Sequence, residues 1–380
     1  MKIGFDAKRA FNNYTGLGNY SRFIIDALLK FAPENEYFAF TPQNKSSQQG
    51  NTWAEKHQNL RICLPSIKKF KALWRSYLIK NDFKKYGIQV FHGLSNEIPF
   101  GLKNKKVKTV VTIHDLIFER YPKLYPPFDR LIYQIKFRKA CKQADKVIAI
   151  SEQTKRDIID YYKIDADKIA VVYQDCDESF HHLLESDSIS AVLKKYEIQK
   201  KYILCIATFT ERKNQLLLLK AFHKLHLSDY ELVLVGGKSA YQTRLEDYIQ
   251  EHKLSNVKIF NKVPFSDLPA LYQGANLFVY PSFFEGFGIP IVEALHSGVP
   301  VIAATGSCLE EAGGNGALYA NPEDVNDLSS KILQVLSNKN LQKRMVIEGQ
   351  KHIEQFSSKN IAQQLQAIYK ELAQVVISEK

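Results

Sequence analysis

Short apolar segments alternate with amphipathic helical stretches along most of the 380-residue chain, in two successive series. Strands that alternate with helices in this way form parallel βαβ units. We therefore predict an α/β protein with two doubly wound, Rossmann-like parallel sheets. The predicted strands of the first series are Lys2–Asp6, Val90–His92, Thr109–Ile113, Val147–Ile150 and Ile169–Val172. Those of the second series are Tyr202–Ala207, Glu231–Val235, Val257–Phe260, Leu277–Tyr280 and Val301–Ala303.

A polar stretch without a strand pattern separates the two series at residues 181–200. We place a linker there, between a first domain over 1–180 and a second domain over 201–357. Asn360–Gln374 has apolar residues at helical spacing, which predicts a terminal helix within 358–380. Ligands of open parallel sheets bind beyond the carboxyl ends of the strands. The loops that follow strands are therefore the candidate functional positions.

Charge is distributed unevenly between the two series. The chain has 52 Lys and Arg against 40 Asp and Glu, and residues 1–180, with 31 basic and 19 acidic residues, carry the whole excess of +12. A hydrophobic content of 45% excludes disordered and collagenous classes. The five cysteines form no CxxC pair, which favours a reducing compartment. Because the start also lacks the apolar run of a signal peptide and no segment reaches the roughly 18 apolar residues of a membrane span, we expect a cytoplasmic protein.

The segment YPSFFEGFGIPIVEALHSGVP, residues 280–300, leads from a predicted strand through a glycine-bearing loop into a helix. Glycines permit close backbone approach, and N–H groups at a helix start favour an anion such as a diphosphate. Glu285 on the loop and Glu293 inside the helix would flank an anion bound there. A glycine turn into a buried helix, with an incidental glutamate, stays open as the alternative for this segment alone.

A cationic loop follows the first strand of the second series and contains Arg212 and Lys213. Arginine neutralises phosphate oxygens through a bidentate fork, and lysine does so as a point charge. Together with the helix start near Gly288, these two cations would form a diphosphate site. Alone, the segment is more typical of a solvated basic turn.

Two loops of the first series contain residue types that are common in functional sites. Thr15–Tyr20 (TGLGNY) is a glycine loop before a helix, but Ser21 occupies the third glycine position of a dinucleotide fingerprint, which disfavours NAD binding. The segment TIHDL places His114 directly after a predicted strand. That position favours a catalytic role for His114 modestly over a structural one.

Two groups of residues have the types found in metal sites. Cys176, His181 and His182 lie among acidic residues, and His223 and His226 have a three-residue helical spacing. Neither group supplies four ligands, so we expect no metal.

Several of these motifs occur in a fixed order along the chain, namely Gly16-Leu17-Gly18, Ser151-Glu152, Arg212-Lys213-Asn214 and the E-x7-E pair Glu285 and Glu293. In this order they resemble the family 4 retaining glycosyltransferases of GT-B fold, over essentially the whole chain. The segment from His114-Asp115-Leu116 to Ala144-Asp145 is most similar to the branch that contains bacterial O-antigen mannosyltransferases. The resemblance implies two domains facing a central cleft and a terminal helix that returns to the first domain.

The resemblance also implies how the donor nucleotide is bound. Arg212 and Lys213 would hold the diphosphate, with backbone N–H groups near Gly288 and Ile289. Glu293 would accept hydrogen bonds from the ribose. The loop of Gly16 and Gly18 would contact the diphosphate from the other domain.

For the transferred sugar, the resemblance implies contacts from Glu285, Gly286, Phe287 and Gly288. His114 would lie near the sugar on the acceptor side, so His114 and Glu285 are the expected catalytic residues. Family members retain the anomeric configuration and need no metal. The branch implies GDP-mannose as donor and a lipid-linked surface polysaccharide such as lipopolysaccharide O-antigen as acceptor, with UDP- or dTDP-linked glucose, N-acetylglucosamine or rhamnose as alternative donors.

The stretch Lys68–Gly87 combines cations with an apolar stripe. A helix of this kind can lie on an anionic membrane surface, which would suit a lipid-linked acceptor and a peripheral enzyme. It can equally pack its stripe on the first sheet, and both interpretations stay open. The residues expected on a membrane or acceptor face are Lys68, Lys69, Phe70, Trp74, Arg75 and Tyr77.

Two other functions compete with glycosyl transfer. The basic excess could bind nucleic acid, but the sequence contains no helix-turn-helix, zinc-finger or RNA-binding signature, so we expect no nucleic-acid partner. A sugar-nucleotide epimerase of the same fold is the other alternative. The sequence leaves the oligomeric state open.

Overall fold

The computed structural model describes residues 1–13, 16–43, 53–65, 70–102 and 107–378. The chain divides into two compact units. The first unit comprises Met1–Gln174 and Phe356–Lys380, and the second comprises Asp175–Gln355.

A parallel sheet of seven strands forms the centre of the first unit, in the order β3-β2-β1-β4-β5-β6-β7. Every residue of β4 is buried, as expected of a parallel strand covered on both faces. The strands are β1 (Lys2–Asp6), β2 (Glu36–Phe40), β3 (Leu60–Cys63), β4 (Val90–Gly93), β5 (Lys108–Ile113), β6 (Lys146–Ala149) and β7 (Ile169–Val171).

A parallel sheet of six strands forms the centre of the second unit, in the order β10-β9-β8-β11-β12-β13. Strands β8 and β11 are neighbours although two strands separate them in the sequence, so their carboxyl ends lie side by side. The strands are β8 (Lys201–Ile206), β9 (Tyr230–Val235), β10 (Val257–Phe260), β11 (Leu277–Tyr280), β12 (Val301–Ala304) and β13 (Ala317–Ala320).

All ten predicted strands are confirmed to within one residue at each end. Strands β2, β3 and β13 were not predicted. The last two have only four residues each, too few for a pattern of alternation or a long apolar run to emerge.

Helices connect the strands in both units. In chain order they are α1 (Lys8–Asn12), α2 (Gly16–Phe31), α3 (Lys71–Leu73), α4 (Ile79–Tyr86), α5 (Ile117–Arg120), α6 (Pro127–Gln143), α7 (Glu152–Tyr162), α8 (Ser186–Lys195), α9 (Gln215–Leu225), α10 (Ala240–Glu251), α11 (Leu268–Gln273), α12 (Ile289–His296), α13 (Leu309–Gly313), α14 (Val325–Ser337), α15 (Lys339–Ile353) and α16 (Ser358–Ser378). Ser151 caps α7, because its Oγ accepts the Thr154 N–H at 3.0 Å. Across the described ranges, no helix has both the length and the apolar character to span a bilayer.

The terminal helix α16 belongs to the first unit, where it packs against α2. Ile361, Leu365 and Tyr369 are buried along one face at helical spacing. The Tyr369 hydroxyl lies 2.6 Å from Nδ1 of His92 on β4, so a polar contact as well as apolar burial holds the helix on the sheet.

Residues 181–200 do not form a linker. They contain α8, which packs on α11 of the second unit, and Lys195 pairs with Asp267 at 2.6 Å. The boundary between the units falls earlier, between Gln174 and Asp175. A polar composition marked this segment as a connection, but its half-buried apolar residues are sufficient to pack a short helix.

Trp74 and Arg75 do not lie on an exposed face, which corrects the prediction for these two residues. Trp74 is 3% exposed in a core with Phe40 and Phe83, and its indole N–H donates to Asp82 at 2.6 Å. A π-helical turn over Trp74–Leu78 joins α3 to α4.

The Arg75 guanidinium pairs with two carboxylates at the carboxyl ends of strands. Its Nε lies 2.9 Å from Asp6 Oδ2, and its Nη1 lies 2.9 Å from Glu97 Oε2. The cation is therefore neutralised inside the first unit. Phe70 and Tyr77 are exposed, whereas Lys68 and Lys69 lie outside the described residues.

Candidate active site

Two loops of the second unit meet because they follow the neighbouring strands β8 and β11. The first loop passes through a short 3-10 turn, Glu211–Lys213, and the second runs from Pro281 to Gly288. The N–H of Phe283 donates to the carbonyl of Arg212 at 2.9 Å. Arg212 Nη1 also donates to the carbonyl of Phe284. Backbone contacts thus fix the cationic loop against the glycine-bearing loop.

Glu285 lies at the centre of this contact and pairs with both predicted cations. Its Oε1 is 2.7 Å from Arg212 Nη1 and 2.6 Å from Lys213 Nζ. Lys213 Nζ also donates to the Tyr280 hydroxyl at 2.6 Å, and the Ser282 hydroxyl contacts the same carboxylate. The three charges sum to +1 in a site with side chains only 11–21% exposed.

The pKa values of this cluster follow from burial and from the paired charges. Burial opposes ionisation of Glu285, but the charges of Lys213 and Arg212 lower its pKa to about 2. Burial also lowers the pKa of Lys213, while Glu285 acts in the opposite direction. Glu285 is therefore an anion at neutral pH.

Gly288 turns the second loop into α12 with φ +135°, a backbone conformation that side chains of L-residues rarely adopt. A Cβ there would lie 3.1 Å from both Ala312 and Leu309. The Cys308 thiol lies 3.0 Å from the carbonyl oxygens of Glu285 and Phe287 and thus contacts the backbone of this loop at two points. The loop that carries Glu285 therefore leads directly into the start of α12, a helix end that favours negative charge.

Glu293 lies inside α12 and occupies a different environment. Its Oε2 accepts the Tyr272 hydroxyl at 2.7 Å. Burial, assisted by the charge of Asp177, raises the pKa of Glu293 to about 7, although the Tyr272 hydrogen bond lowers it. The E-x7-E pair thus comprises one permanent carboxylate and one that titrates near neutrality.

In the first unit, Gly16 and Gly18 occupy the first turn of α2. A Cβ on Gly18 would lie 1.9 Å from the carbonyl oxygen of Asn13, whereas a Cβ on Gly16 would meet nothing within 4 Å. Gly18 is thus required for close backbone packing. Gly16 is exposed, with its backbone at the amino end of a 16-residue helix.

His114 follows β5 and is buried against the helix that carries these glycines. Its ring meets the Tyr20 ring edge-on, with centroids 4.6 Å apart, and its Nε2 donates to the carbonyl of Leu94 at 2.9 Å. The second ring nitrogen, Nδ1, then carries a lone pair. Burial lowers the pKa of His114 to about 4, so the ring is neutral at pH 7.

Comparison with known proteins decides the family. A model described as Glycosyltransferase Family 4 matches residues 16–178, and one described as Glycosyl transferases group 1 matches residues 188–352. O-antigen chain mannosyltransferase B of Escherichia coli is 30% identical over 388 residues, which cover 97% of this chain and 100% of that protein. The chain is a family 4 glycosyltransferase.

Solved structures match this glycosyltransferase over nearly its full length. Sucrose-phosphate synthase from Thermosynechococcus elongatus superimposes with a TM-score of 0.77 at 20% identity, covering 98% of both chains. HepE from Anabaena, solved in complex with UDP, gives a TM-score of 0.75 at 18% identity and covers 98% of this chain and 100% of its own. The GT-B fold predicted from the sequence is confirmed.

Sequence reasoning named Arg212, Lys213, Glu285 and Glu293 as candidate site residues but missed the uncharged groups that contact them. Tyr272 contacts Glu293, Tyr280 and Ser282 contact Glu285, and Cys308 contacts the loop between the two glutamates. Tyr280 had a signal, since it is the last residue of a strand that precedes the loop. Tyr272 and Cys308 come from other elements, and only the folded chain brings them to the site.

Proposed function

We propose that this glycosyltransferase moves mannose from GDP-mannose to a growing, lipid-linked surface polysaccharide with retention of anomeric configuration. One observation supports a nucleotide-sugar donor above others. Arg212, Lys213 and Glu285 form a cluster with one excess positive charge and side chains at most 21% exposed, and the loop of Glu285 leads into α12. A sugar diphosphate places a negative diphosphate and a polyhydroxylated ring next to each other, which such a cluster can bind together.

The cluster can separate these two tasks because its charges differ. The guanidinium of Arg212 and the ammonium of Lys213 are donors for phosphate oxygens. The ionised Glu285 is an acceptor for sugar hydroxyls, and its salt bridges orient it without neutralising the site. We propose the same role for the neighbouring backbone of Gly286, Phe287 and Gly288.

In the proposed reaction the bond between the anomeric carbon and the diphosphate oxygen breaks. The acceptor oxygen bonds to that carbon on the same face, and the acceptor proton goes to the departing phosphate. Negative charge grows on the diphosphate in the transition state, so preorganised donors stabilise it. Loss of Arg212 should then lower kcat by about 10²–10³-fold, the usual effect of one such donor.

Glu293 is proposed to accept hydrogen bonds from the ribose of the donor. It is half-buried, and Tyr272 fixes the direction of its carboxylate. The roles of Gly16, Gly18 and His114 stay predictions from the family resemblance. Transfer without a metal cofactor also stays a prediction.

The proposal of mannose and of an O-antigen acceptor rests on the similarity to O-antigen chain mannosyltransferase B of Escherichia coli. The HepE structure contains UDP, so a UDP- or dTDP-sugar is the alternative donor. An epimerase would produce free nucleotide or an altered sugar nucleotide without any glycosylated acceptor. Transfer from GDP-mannose, transfer from a UDP- or dTDP-sugar and epimerisation can be distinguished in one assay by the nucleotide and the sugar product that are formed.

The experiment is a panel of UDP, GDP, dTDP and ADP in thermal unfolding, followed by turnover of the matching sugar nucleotides with extracted lipid-linked glycan. We expect GDP to raise Tm, since a ligand at about 100 times its Kd stabilises the folded state by about 2.7 kcal/mol. Glu293→Ala should abolish this shift, and Glu251→Ala on the exposed face of α10 should keep it. Stabilisation by none of the nucleotides, with no turnover, would overturn the proposal.

A membrane-facing surface is proposed on the first unit. Phe128, Leu131 and Ile135 occupy positions i, i+3 and i+7 of α6 and are 72%, 52% and 59% exposed. Lys139 of the same helix lies 4.1 Å from the centroid of Phe100, which packs on the exposed Tyr77. An apolar stripe next to cations is the composition that binds an anionic lipid surface, where a lipid-linked acceptor resides.

A further inference from the structure

Four side chains of metal-ligand type converge at the start of the second unit. Asp175 and Cys176 begin the unit, His181 follows them, and His296 is the last residue of α12. One donor atom of each lies within 4.8 Å of the other three. Within the described ranges, no other group of three or more His, Cys, Asp or Glu side chains is arranged so that it could hold a metal ion.

The Asp175 carboxylate is at the centre of this cluster. Its Oδ1 lies 2.9 Å from Nε2 of His296, and its Oδ2 lies 3.4 Å from Nε2 of His181. The two imidazole rings are stacked, with centroids 3.9 Å apart and planes at 17°. Nε2 of each ring is thus directed toward the Asp175 carboxylate.

The donor set selects a class of metal. One thiol, two imidazoles and one carboxylate suit Zn²⁺ and Co²⁺, whereas Mg²⁺ and Ca²⁺ require oxygen ligands throughout. Ligand atoms about 2.0–2.3 Å from a tetrahedral ion stand roughly 3.3–3.8 Å apart. Since the four atoms already lie within 4.8 Å of one another, shifts of side chains alone can close the site.

Burial and charge also favour a cation there. Asp175 and Cys176 are 5% and 4% exposed. The carboxylates of Asp175, Asp177 and Glu293 surround the Cys176 thiol with negative charge, which a cation would offset. His181, with a side chain 30% exposed, provides the side from which an ion can enter.

We propose that Asp175, Cys176, His181 and His296 bind one zinc-class divalent ion. Binding displaces the thiol proton to solvent, and each imidazole binds through Nε2 as the neutral Nδ1–H tautomer, so that only a ring that was positively charged releases a proton. The ion would fix residues 175–181 to α12, whose Glu293 lies one turn before His296. It is a structural ion, so the proposed glycosyl transfer does not pass through it, and either proposal can fail alone.

The test uses the full chain, without an affinity tag and stripped of metal with a chelator, titrated with Co²⁺. We expect one equivalent to bind with the visible absorption of tetrahedral cobalt and a thiolate-to-cobalt charge-transfer band, and Zn²⁺ to displace it. Cys176→Ser should lose the charge-transfer band. His296→Ala should weaken binding by at least about 100-fold, the upper end of what a lost outer-shell partner costs.

His182→Gln is the matched control, because this exposed histidine adjoins His181 and lies outside the cluster. It should bind cobalt as the wild type does. His181→Gln provides a variant at the exposed edge, where the fold tolerates change, and it should weaken binding too. No cobalt absorption, or a charge-transfer band that survives Cys176→Ser, would overturn the proposal.

Discussion

Glu285 and Glu293 are the same residue type in one motif, but their surroundings separate their protonation. Two cations contact Glu285 and hold its pKa near 2, whereas burial beside Tyr272 raises the pKa of Glu293 to about 7. Pairs of titratable groups pushed apart in this way mark sites with distinct chemical roles. In the proposed reaction the ionised Glu285 would accept hydrogen bonds from sugar hydroxyls, and Glu293 could donate to or accept from a ribose hydroxyl.

The raised pKa of Glu293 predicts a pH-dependent effect of Glu293→Gln on stability. A folded-state pKa of about 7, above the ordinary 4.5, gives a contribution that is complete below pH 4.5 and is lost as pH rises through 7. Glutamine still accepts the Tyr272 hydrogen bond but cannot ionise. In chemical denaturation, the free energy of unfolding of the variant minus that of the wild type should be roughly 1–3 kcal/mol larger at pH 9 than at pH 5. The variant is thus relatively more stable at the higher pH.

Glu251→Gln on the exposed face of α10 serves as the control for this measurement and should show no such difference. An equal effect of Glu293→Gln at both pH values would contradict a Glu293 carboxyl that titrates near pH 7.

The sequence predicts the positions of individual site residues but not the contacts between residues that are far apart in the chain. The spacing of Glu285 and Glu293 and the position of Arg212 and Lys213 after a strand were visible in the chain. Their direct pairing was not, because the neighbouring strands β8 and β11 are far apart in sequence. For the same reason the residues near Cys176 lacked a fourth metal-type ligand until the fold brought His296 beside them.

At the scale of elements, α2 illustrates two glycines with different structural demands. The Asn13 carbonyl that a Cβ on Gly18 would meet at 1.9 Å also accepts a hydrogen bond from Arg22 at 3.0 Å. It cannot move away without breaking that contact. Sequence alone predicts a glycine loop before a helix but does not distinguish which glycine the packing requires.

Gly18→Ala should therefore lower the free energy of unfolding by about 1–3 kcal/mol, the usual cost of overpacking. Gly16→Ala adds a Cβ in open space at a helical position, so it should be neutral or stabilise by up to about 1 kcal/mol. Chemical denaturation of both variants provides the comparison. Equal losses of stability would show that the close approach of Asn13 to α2 is not a real constraint.

A π-helical turn explains why the predicted exposed face around Trp74 was partly wrong. Trp74 and Tyr77 both fitted one apolar stripe, yet only Trp74 is buried, because a π-helical turn over Trp74–Leu78 changes the angular spacing along the segment. Regular helical periodicity cannot reveal such a turn. The stripe therefore divides between the core and the surface.

At the scale of the whole molecule, the two units differ in charge more than the two halves of the sequence do. The first unit contains 34 Lys and Arg against 18 Asp and Glu, and the second contains 18 against 22. The difference in charge is larger between the units than between the halves because residues 175–180 belong to the second unit and the terminal helix belongs to the first. An anionic surface would therefore attract the first unit selectively, at about 1 kcal/mol per cation close to the lipid.

This asymmetry predicts that the protein floats with vesicles of anionic phosphatidylglycerol at low salt and not with vesicles of neutral phosphatidylcholine. Simultaneous replacement of Phe128, Leu131 and Ile135 by serine should reduce the bound fraction at least about tenfold, since each inserted side chain contributes about 1.5–3 kcal/mol. The double variant Leu333→Ser, Ile347→Ser removes exposed apolar residues of the second unit and should float as the wild type does. Wild-type protein that stays in solution with anionic vesicles at low salt would refute the membrane face, and equal losses in the two variants would assign flotation to general hydrophobicity instead of to α6.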